Sequence, residues 1–306
     1  DLAEVLGGAI ALKLLLDLPL LLGGVITGVL SLVILTVQQH RGQQRFEHTI
    51  VAMLAVVLVG FLWTAMAGRP DLSGVVSGLV PRLQSVDSLV LAAGILGATV
   101  MPHAIWLHGA LVRDRHGDVS ADPVRRRELL RATRADVGLA LLFAGTVNMA
   151  MLVAAAATLQ DTTTASIEDA YAGFATALGT TAALLFALAL LASGLASSSV
   201  GTYAGAVILD GFGGRRIPLT LRRLVALIPA LLILAAGVDT TQALVLSQVV
   251  LSFGIPFALW PLVAITADRR LMGTLRNRWG TTAVAGAVAA AVSALNVVLI
   301  VLVVMQ

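Results

Sequence analysis

The sequence has no cysteine, which excludes disulfides, thiolate metal sites and cysteine nucleophiles. Charged residues make up only 12% of its 306 residues and aromatic residues 5%, whereas soluble domains are about one-quarter charged. Catalytic signatures are missing as well. There is no G-x-S-x-G elbow, Walker loop, H-E-x-x-H pair or paired-carboxylate motif, so an enzyme has no visible active site. No signal peptide is visible, and the opening stretch DLAEVLGGAIALKLLL is already in helical register without an initiating methionine. Upstream residues, and with them whole helices, are therefore expected.

What remains is apolar. Hydrophobic residues make up 58% of the chain and the mean hydropathy is +0.95. Repeated apolar runs of about twenty residues read as membrane-spanning helices, so the expected class is an all-α polytopic membrane protein. The runs predict about nine spans, at 1–16, 19–37, 48–67, 89–112, 133–158, 178–208, 220–237, 241–266 and 280–305. No soluble domain or repeat interrupts them, and 1–306 reads as a single transmembrane domain. Residues 166–208 are too long for one span. Ser166 stands three residues before Asp169 as in a capping box, which predicts a separate amphipathic helix there, lying on the surface.

The basic residues set the sidedness. The net charge is only +3, yet 17 of the 20 Lys and Arg residues fall in alternate loops. By the positive-inside rule those loops are cytoplasmic, which puts residue 1 at the cytoplasmic side and the C-terminus outside. The basic excess is thereby assigned to topology and not to nucleic acid. Arg-rich and Ala/Gly-rich usage points to a GC-rich bacterium and its inner (plasma) membrane. The sequence leaves the oligomeric state open.

Polar groups inside spans are functional candidates, because burying them unpaired costs several kcal/mol. The stretch GATVMPHAIWLHG, residues 97–109, concentrates them. Pro102 lacks an N–H and breaks the helix near 98–101, and Gly94 and Gly97 loosen the same turn. The freed carbonyls at 97–99 need partners. Met101 offers a thioether there, a poor ligand for Mg²⁺ or Ca²⁺ and an acceptable one for softer transition metals. A proline-kinked helix with a space-filling methionine is the competing explanation, and spacing alone leaves both open. His103 and His108 lie roughly 140° apart on a helix, so they cannot form an i,i+4 metal pair. His103, deeper in the span, is the candidate proton carrier, and His108 reads as packing or interfacial.

Other candidates are scattered. Asp1 and Glu4 share a helix face at the cytoplasmic end of the first span, and Arg222 and Arg223 start the seventh at the same side, so an acid–base cluster or plain interfacial charge both fit. Lys13 and Asp17, four apart, read as a local ion pair. Gln248 lies mid-span before the helix breakers Gly254, Pro256 and Pro261. Asn148 and Ser197–Ser199 fit bridges between helices.

With MPHAIWLHG on a broken helix and DLAEVLGGAIAL opening the chain, the sequence resembles the Nramp family, proton-coupled transporters of Mn²⁺, Fe²⁺ and other divalent transition metals. The resemblance runs along the whole chain and implies a LeuT-like fold with discontinuous helices, the chain covering family helices three to eleven. It implies that Met101 binds the metal through sulfur, Ala98 through its backbone carbonyl, and that Gln248 approaches the ion in some conformations. His103, Glu4, Asp1, Arg222 and Arg223 would match the family's proton-linked polar network, and Gly97 and Pro102 the helix break. It implies no permanently bound cofactor: the metal ion is the cargo, the proton the coupled ion, and the lipid bilayer the surroundings. One departure stands out. The family's first helix carries an Asp-Pro-Gly-Asn motif whose Asp and Asn bind metal, and this chain contains none. The alternative reading is a LeuT-like secondary transporter of an organic solute such as an amino acid, which would use the same broken helix without a metal. A non-transporting membrane scaffold is a third class, which no residue pattern favours.

Overall fold

A computed structural model describes residues 2–41, 43–68, 72–78, 80, 85–117, 123–159, 166–213 and 219–304. Regular structure among the described residues is entirely helical. In chain order the helices are α1 (Leu2–Leu16), α2 (Leu20–Arg41), α3 (Gln43–Ala67), α4 (Leu72–Gly78), α5 (Val86–Thr99) and α6 (Pro102–His116). There follow α7 (Pro123–Thr158), α8 (Ile167–Leu178), α9 (Thr180–Gly213), α10 (Leu219–Ala235), α11 (Thr240–Ala267), α12 (Arg269–Met272), a 3-10 turn (Gly273–Leu275) and α13 (Trp279–Val304).

Each of the nine expected spans coincides with helix, but the helices are not equal. Among the described residues six segments are long and apolar enough to cross a membrane singly. The pair α1 and α2, bent by 115°, adds a seventh if it is one span, against the nine expected; the apolar part of α10, Leu224–Ala235, falls short. The bend follows from LDLPL: Asp17 takes φ 53° and Pro19 cannot continue a helix. α1 has 15 residues, a rise of about 22 Å against the ~30 Å of a bilayer core. The broken turn also corrects one expectation. Asp17 has left the helix, so it does not sit at the i+4 position for Lys13. Lys13 Nζ instead meets Glu168 Oε1 on α8 at 3.2 Å, a half-exposed contact that contributes little to stability.

The chain divides into two compact units, residues 1–81 with 109–241, and residues 82–108 with 242–306. In the first, α1 is the buried element: Val5 to Leu12 are all shielded, packed by α2, α9 and α10. Small residues allow this. A Cβ on Gly194 of α9 would stand 2.8 Å from the Glu4 carbonyl oxygen, closer than real Cβ contacts, so the backbones of α9 and α1 touch at the Glu4 turn. A second cluster joins α3, α7, α8 and α9 around Val57, Phe61, Val147, Ala150 and Phe174. Phe186 packs edge-on to Phe61 at 6.0 Å and against Phe174 at 5.2 Å, within the range of favourable aromatic pairs.

α8 is the expected amphipathic helix. Ser166 Oγ accepts from the Asp169 N–H and Asp169 Oδ2 accepts from the Ser166 N–H, both at 3.1 Å, a reciprocal cap that satisfies two donors at the helix start. Its one buried residue is Phe174. The Ile167 N–H donates to Thr241 Oγ1 at 3.3 Å, which ties the helix start to the start of α11.

The second unit holds α5, the first turns of α6, α11, α12 and α13. Ala93 on α5, Val249 on α11 and Leu299 on α13 form its core, with Val90, Val245, Phe253 and Leu295 around them. This unit carries the broken stretch.

Candidate functional site

The break lies where proline chemistry requires it. α5 ends at Thr99, Val100 caps it with φ −106° and ψ 74°, and its N–H donates to the Leu96 carbonyl at 2.8 Å. Met101 stands outside both helices and Pro102 opens α6. Proline disfavours helical backbone in the residue before it and suits the first position of a new helix. The Ala98 carbonyl shows the consequence. In a continuous helix its donor would be the N–H of residue 102, and residue 102 is proline. The Ala98 carbonyl thus lacks its usual helical donor, three residues before the half-buried Met101.

The other wall is α11. A Cβ on Gly97 would collide with the Gln248 carbonyl oxygen and lie 2.8 Å from the Gln248 carbonyl carbon and 3.1 Å from the Ser252 nitrogen. The two backbones are thus in direct contact, and Gly97 is the residue that permits it. Further along α11, a Cβ on Gly254 would reach Pro102 Cγ at 3.4 Å. The broken stretch is laid along the Gln248–Gly254 segment. Gln248 Oε1 is buried and has no hydrogen-bond partner among the described residues. A buried amide oxygen left unsatisfied costs about 1–3 kcal/mol, and such an atom calls for a ligand, a cation or a water.

Gly254, Pro256 and Pro261 favour a break, yet α11 runs unbroken through both prolines. At Pro256 the reason is a pair that no local pattern shows. Pro256 removes the N–H that would bond the Ser252 carbonyl, and that carbonyl accepts from Asn296 Nδ2 on α13 at 2.8 Å. Ser252 Oγ in turn donates to Asn296 Oδ1 at 2.8 Å and contacts the Val249 carbonyl at 2.7 Å. Both side chains are buried. The signal was an asparagine alone in an apolar run, but its partner lies 44 residues away.

A test follows from the arithmetic of that carbonyl. Asn296→Leu should destabilise the protein by about 1–3 kcal/mol, the cost of buried groups left unpaired. Adding Pro256→Ala should recover part of the loss, because the alanine N–H takes the Ser252 carbonyl. A double-mutant cycle by thermal unfolding measures this, and strictly additive losses would contradict it.

The remaining predicted residues fall as follows. His103 sits half-buried in the first turn of α6, and His108 is exposed. Glu4 lies on α1 in the other unit, half-buried, with Oε2 shielded from solvent. Asp1 lies outside the described residues, as do the side chains of Arg222 and Arg223, whose backbone belongs to α10. In register, Arg223 precedes Leu227 by one turn, and Leu227 packs against Val5, the neighbour of Glu4. Asn148 is exposed on α7, whereas Ser198 and Ser199 are buried on α9, Ser199 Oγ bonding its own helix at the Leu195 carbonyl. No cluster of three or more His, Asp or Glu residues suited to a metal occurs among the described residues. The donor atoms carried by the broken stretch and the facing turn of α11 are neutral: the Met101 thioether, peptide carbonyls and the Gln248 amide oxygen.

A polytopic helical membrane protein with a broken helix fits a transporter architecture, a class in which irregular backbone at membrane depth lines a binding cavity. Comparison with known proteins narrows this. Residues 1–302 match the model of the Natural resistance-associated macrophage protein-like (Nramp) family. The Divalent metal cation transporter MntH of Mycobacterium tuberculosis (strain ATCC 25618 / H37Rv) is 55% identical over 301 residues, 98% of this chain and 70% of that protein. The protein of the same name from Bacillus subtilis (strain 168) is 45% identical over 304 residues, 98% and 71% respectively. The crystal structure of the Eremococcus coleocola manganese transporter mutant H236A superposes with a TM-score of 0.83 at 29% identity, covering 97% of this chain and 67% of that one. The chain belongs to the Nramp family, and its fold is LeuT-like.

Proposed function

We propose that this protein is a proton-coupled secondary transporter that imports divalent transition-metal ions, Mn²⁺ and Fe²⁺ foremost, across the bacterial plasma membrane by alternating access. It works as one transmembrane transport domain, with residue 1 on the cytoplasmic side and the C-terminus outside. The observation that carries this reading is the break at Val100–Met101 seated on the Gln248 turn, with an unpartnered buried Gln248 Oε1. The names of the relatives, divalent metal cation and manganese transporters, favour a metal over an organic solute as cargo.

In this mechanism the ion sheds part of its water for Met101 sulfur, the Ala98 carbonyl and, in one of the alternating states, Gln248 Oε1. These donors carry no net charge, so they select by softness and geometry rather than by Coulomb attraction. Proton movement is separate. His103 accepts a proton near the break, and Glu4, Asp1, Arg222 and Arg223 carry it toward the cytoplasm.

The test is a paired assay in liposomes that reads Mn²⁺ entry and internal pH together. His103→Ala and Glu4→Gln should reduce metal-driven proton entry at least about tenfold and leave Mn²⁺ binding within about threefold of the parent. Loss of binding and proton flux to the same degree would overturn the division of labour. Metal-independence of both fluxes would overturn the transport reading itself.

A further inference from the structure

The connection between α11 and α13 carries a surface that transport leaves unused. Its sequence, ADRRLMGTLRNRW over residues 267–279, is folded and not slack. Asp268 caps the short α12, its Oδ1 accepting the Arg270 N–H at 2.6 Å. The Asn277 N–H then donates to the Thr266 carbonyl at 3.0 Å. That bond closes the loop at its neck, so Arg269 and Arg270 leave from one stem and Arg276 and Arg278 return on the other.

All four arginines are exposed, and none has a carboxylate within ion-pair distance among the described residues. The one acid in the loop, Asp268, is occupied by the cap. Interleaved with them are apolar side chains with nothing over them: Leu271 is 67% exposed, Leu275 38% and Trp279 85%. In water this exposure is unfavourable at about 25 cal/mol per Å². The loop, however, joins two helices long enough to span a membrane, so it emerges at the bilayer surface. There an indole and leucines lodge at headgroup depth, and guanidinium groups meet phosphates.

We propose that the 268–279 loop docks on anionic phospholipid of the leaflet it faces. Arg269, Arg270, Arg276 and Arg278 engage headgroup phosphates, for which the planar guanidinium fork is suited, and Leu271, Leu275 and Trp279 insert beside the upper acyl carbons. Four arginines against one capped aspartate give the loop a surplus that zwitterionic lipid does not match and anionic lipid does. The apolar residues between the charges distinguish this surface from one built for nucleic acid or an acidic protein, where exposed leucines would gain nothing.

Trp279 supplies the probe. The whole protein is placed in nanodiscs of phosphatidylcholine containing an equal mole fraction of dibrominated phosphatidylglycerol or dibrominated phosphatidylcholine. Quenching of Trp279 is read as the difference between the parent and Trp279→Phe, which removes the contribution of the other three tryptophans. The brominated anionic lipid should quench at least about twofold more strongly than the zwitterionic one, since each arginine adds to the attraction. Replacing all four arginines by glutamine should bring the two to parity. In the unmodified protein about 1 M salt should do the same, because the Debye length falls to about 3 Å; this arm does not depend on a variant folding. Equal quenching by the two lipids in the parent protein would overturn the proposal, as would a preference that survives both treatments. Removal of the preference by millimolar inorganic phosphate at constant ionic strength would also overturn it, by showing a site for free phosphate instead.

Discussion

Gly97→Ala should all but eliminate metal uptake, at least about a hundredfold below the parent at equal protein level, and should lower the melting temperature by several degrees. The added methyl has no space. It would run into the Gln248 carbonyl oxygen, with the Gln248 carbonyl carbon at 2.8 Å and the Ser252 nitrogen at 3.1 Å. All three are backbone atoms of a continuous helix, so no flexible side-chain end can give way. The helices must part, and overpacking of this kind costs about 1–3 kcal/mol or more. Separation also moves Gln248 away from the break, and misplacement by about 1 Å is enough to cost two orders of magnitude in a positioned site. The control is Gly145→Ala on α7, where a Cβ meets nothing within 4 Å. There the exchange should be neutral or slightly stabilising, since alanine is the better helix former. Liposome flux and thermal unfolding on the two variants together check the contrast. Parent-like uptake by Gly97→Ala would show that the contact between α5 and α11 plays no part in transport.

That prediction also shows what was legible in the chain and what was not. Gly97 was singled out from sequence as a loosener of the turn before Pro102, which is a local argument. Its larger role is to let a second helix approach, and that depends on Gln248, some 150 residues later. Local chemistry is readable: Pro102 as a helix break, the Ser166–Asp169 cap and the apolar runs. All of these depend on neighbours within a turn or two. What sequence left hidden was every pairing across distance. Lys13 was given to Asp17, the nearest acid in register, and the fold gave it Glu168. Pro256 looked like a breaker because the donor that repairs its missing hydrogen bond, Asn296, lies on another helix. Gln248 was picked out correctly as polar and mid-span, but only the packed structure makes its oxygen unusual, by burying it without a partner.

Met101→Leu is the sharper test of the cargo, because it separates sulfur chemistry from packing. Leucine keeps nearly the volume of methionine, and such swaps in packed sites cost less than about 1.5 kcal/mol. If Met101 only fills space, Met101→Leu should transport as the parent does. If the sulfur binds the ion, Met101→Leu and Met101→Ala should fail alike, with Mn²⁺ affinity falling about tenfold, equivalent to ~1.4 kcal/mol. Selectivity should change more than affinity. A thioether gives little to Ca²⁺ or Mg²⁺ and more to Mn²⁺ or Fe²⁺. Once it is gone, oxygen donors remain, and an all-oxygen set is what the hard ions prefer. Ca²⁺ entry should therefore rise above the parent's in both variants under the same gradient. The measurement is competition of Ca²⁺ and Mg²⁺ against Mn²⁺ flux in liposomes. Discrimination unchanged in both variants would remove Met101 from the metal's coordination shell. Discrimination lost in Met101→Ala and kept in Met101→Leu would assign the effect to the shape of the break and not to its sulfur.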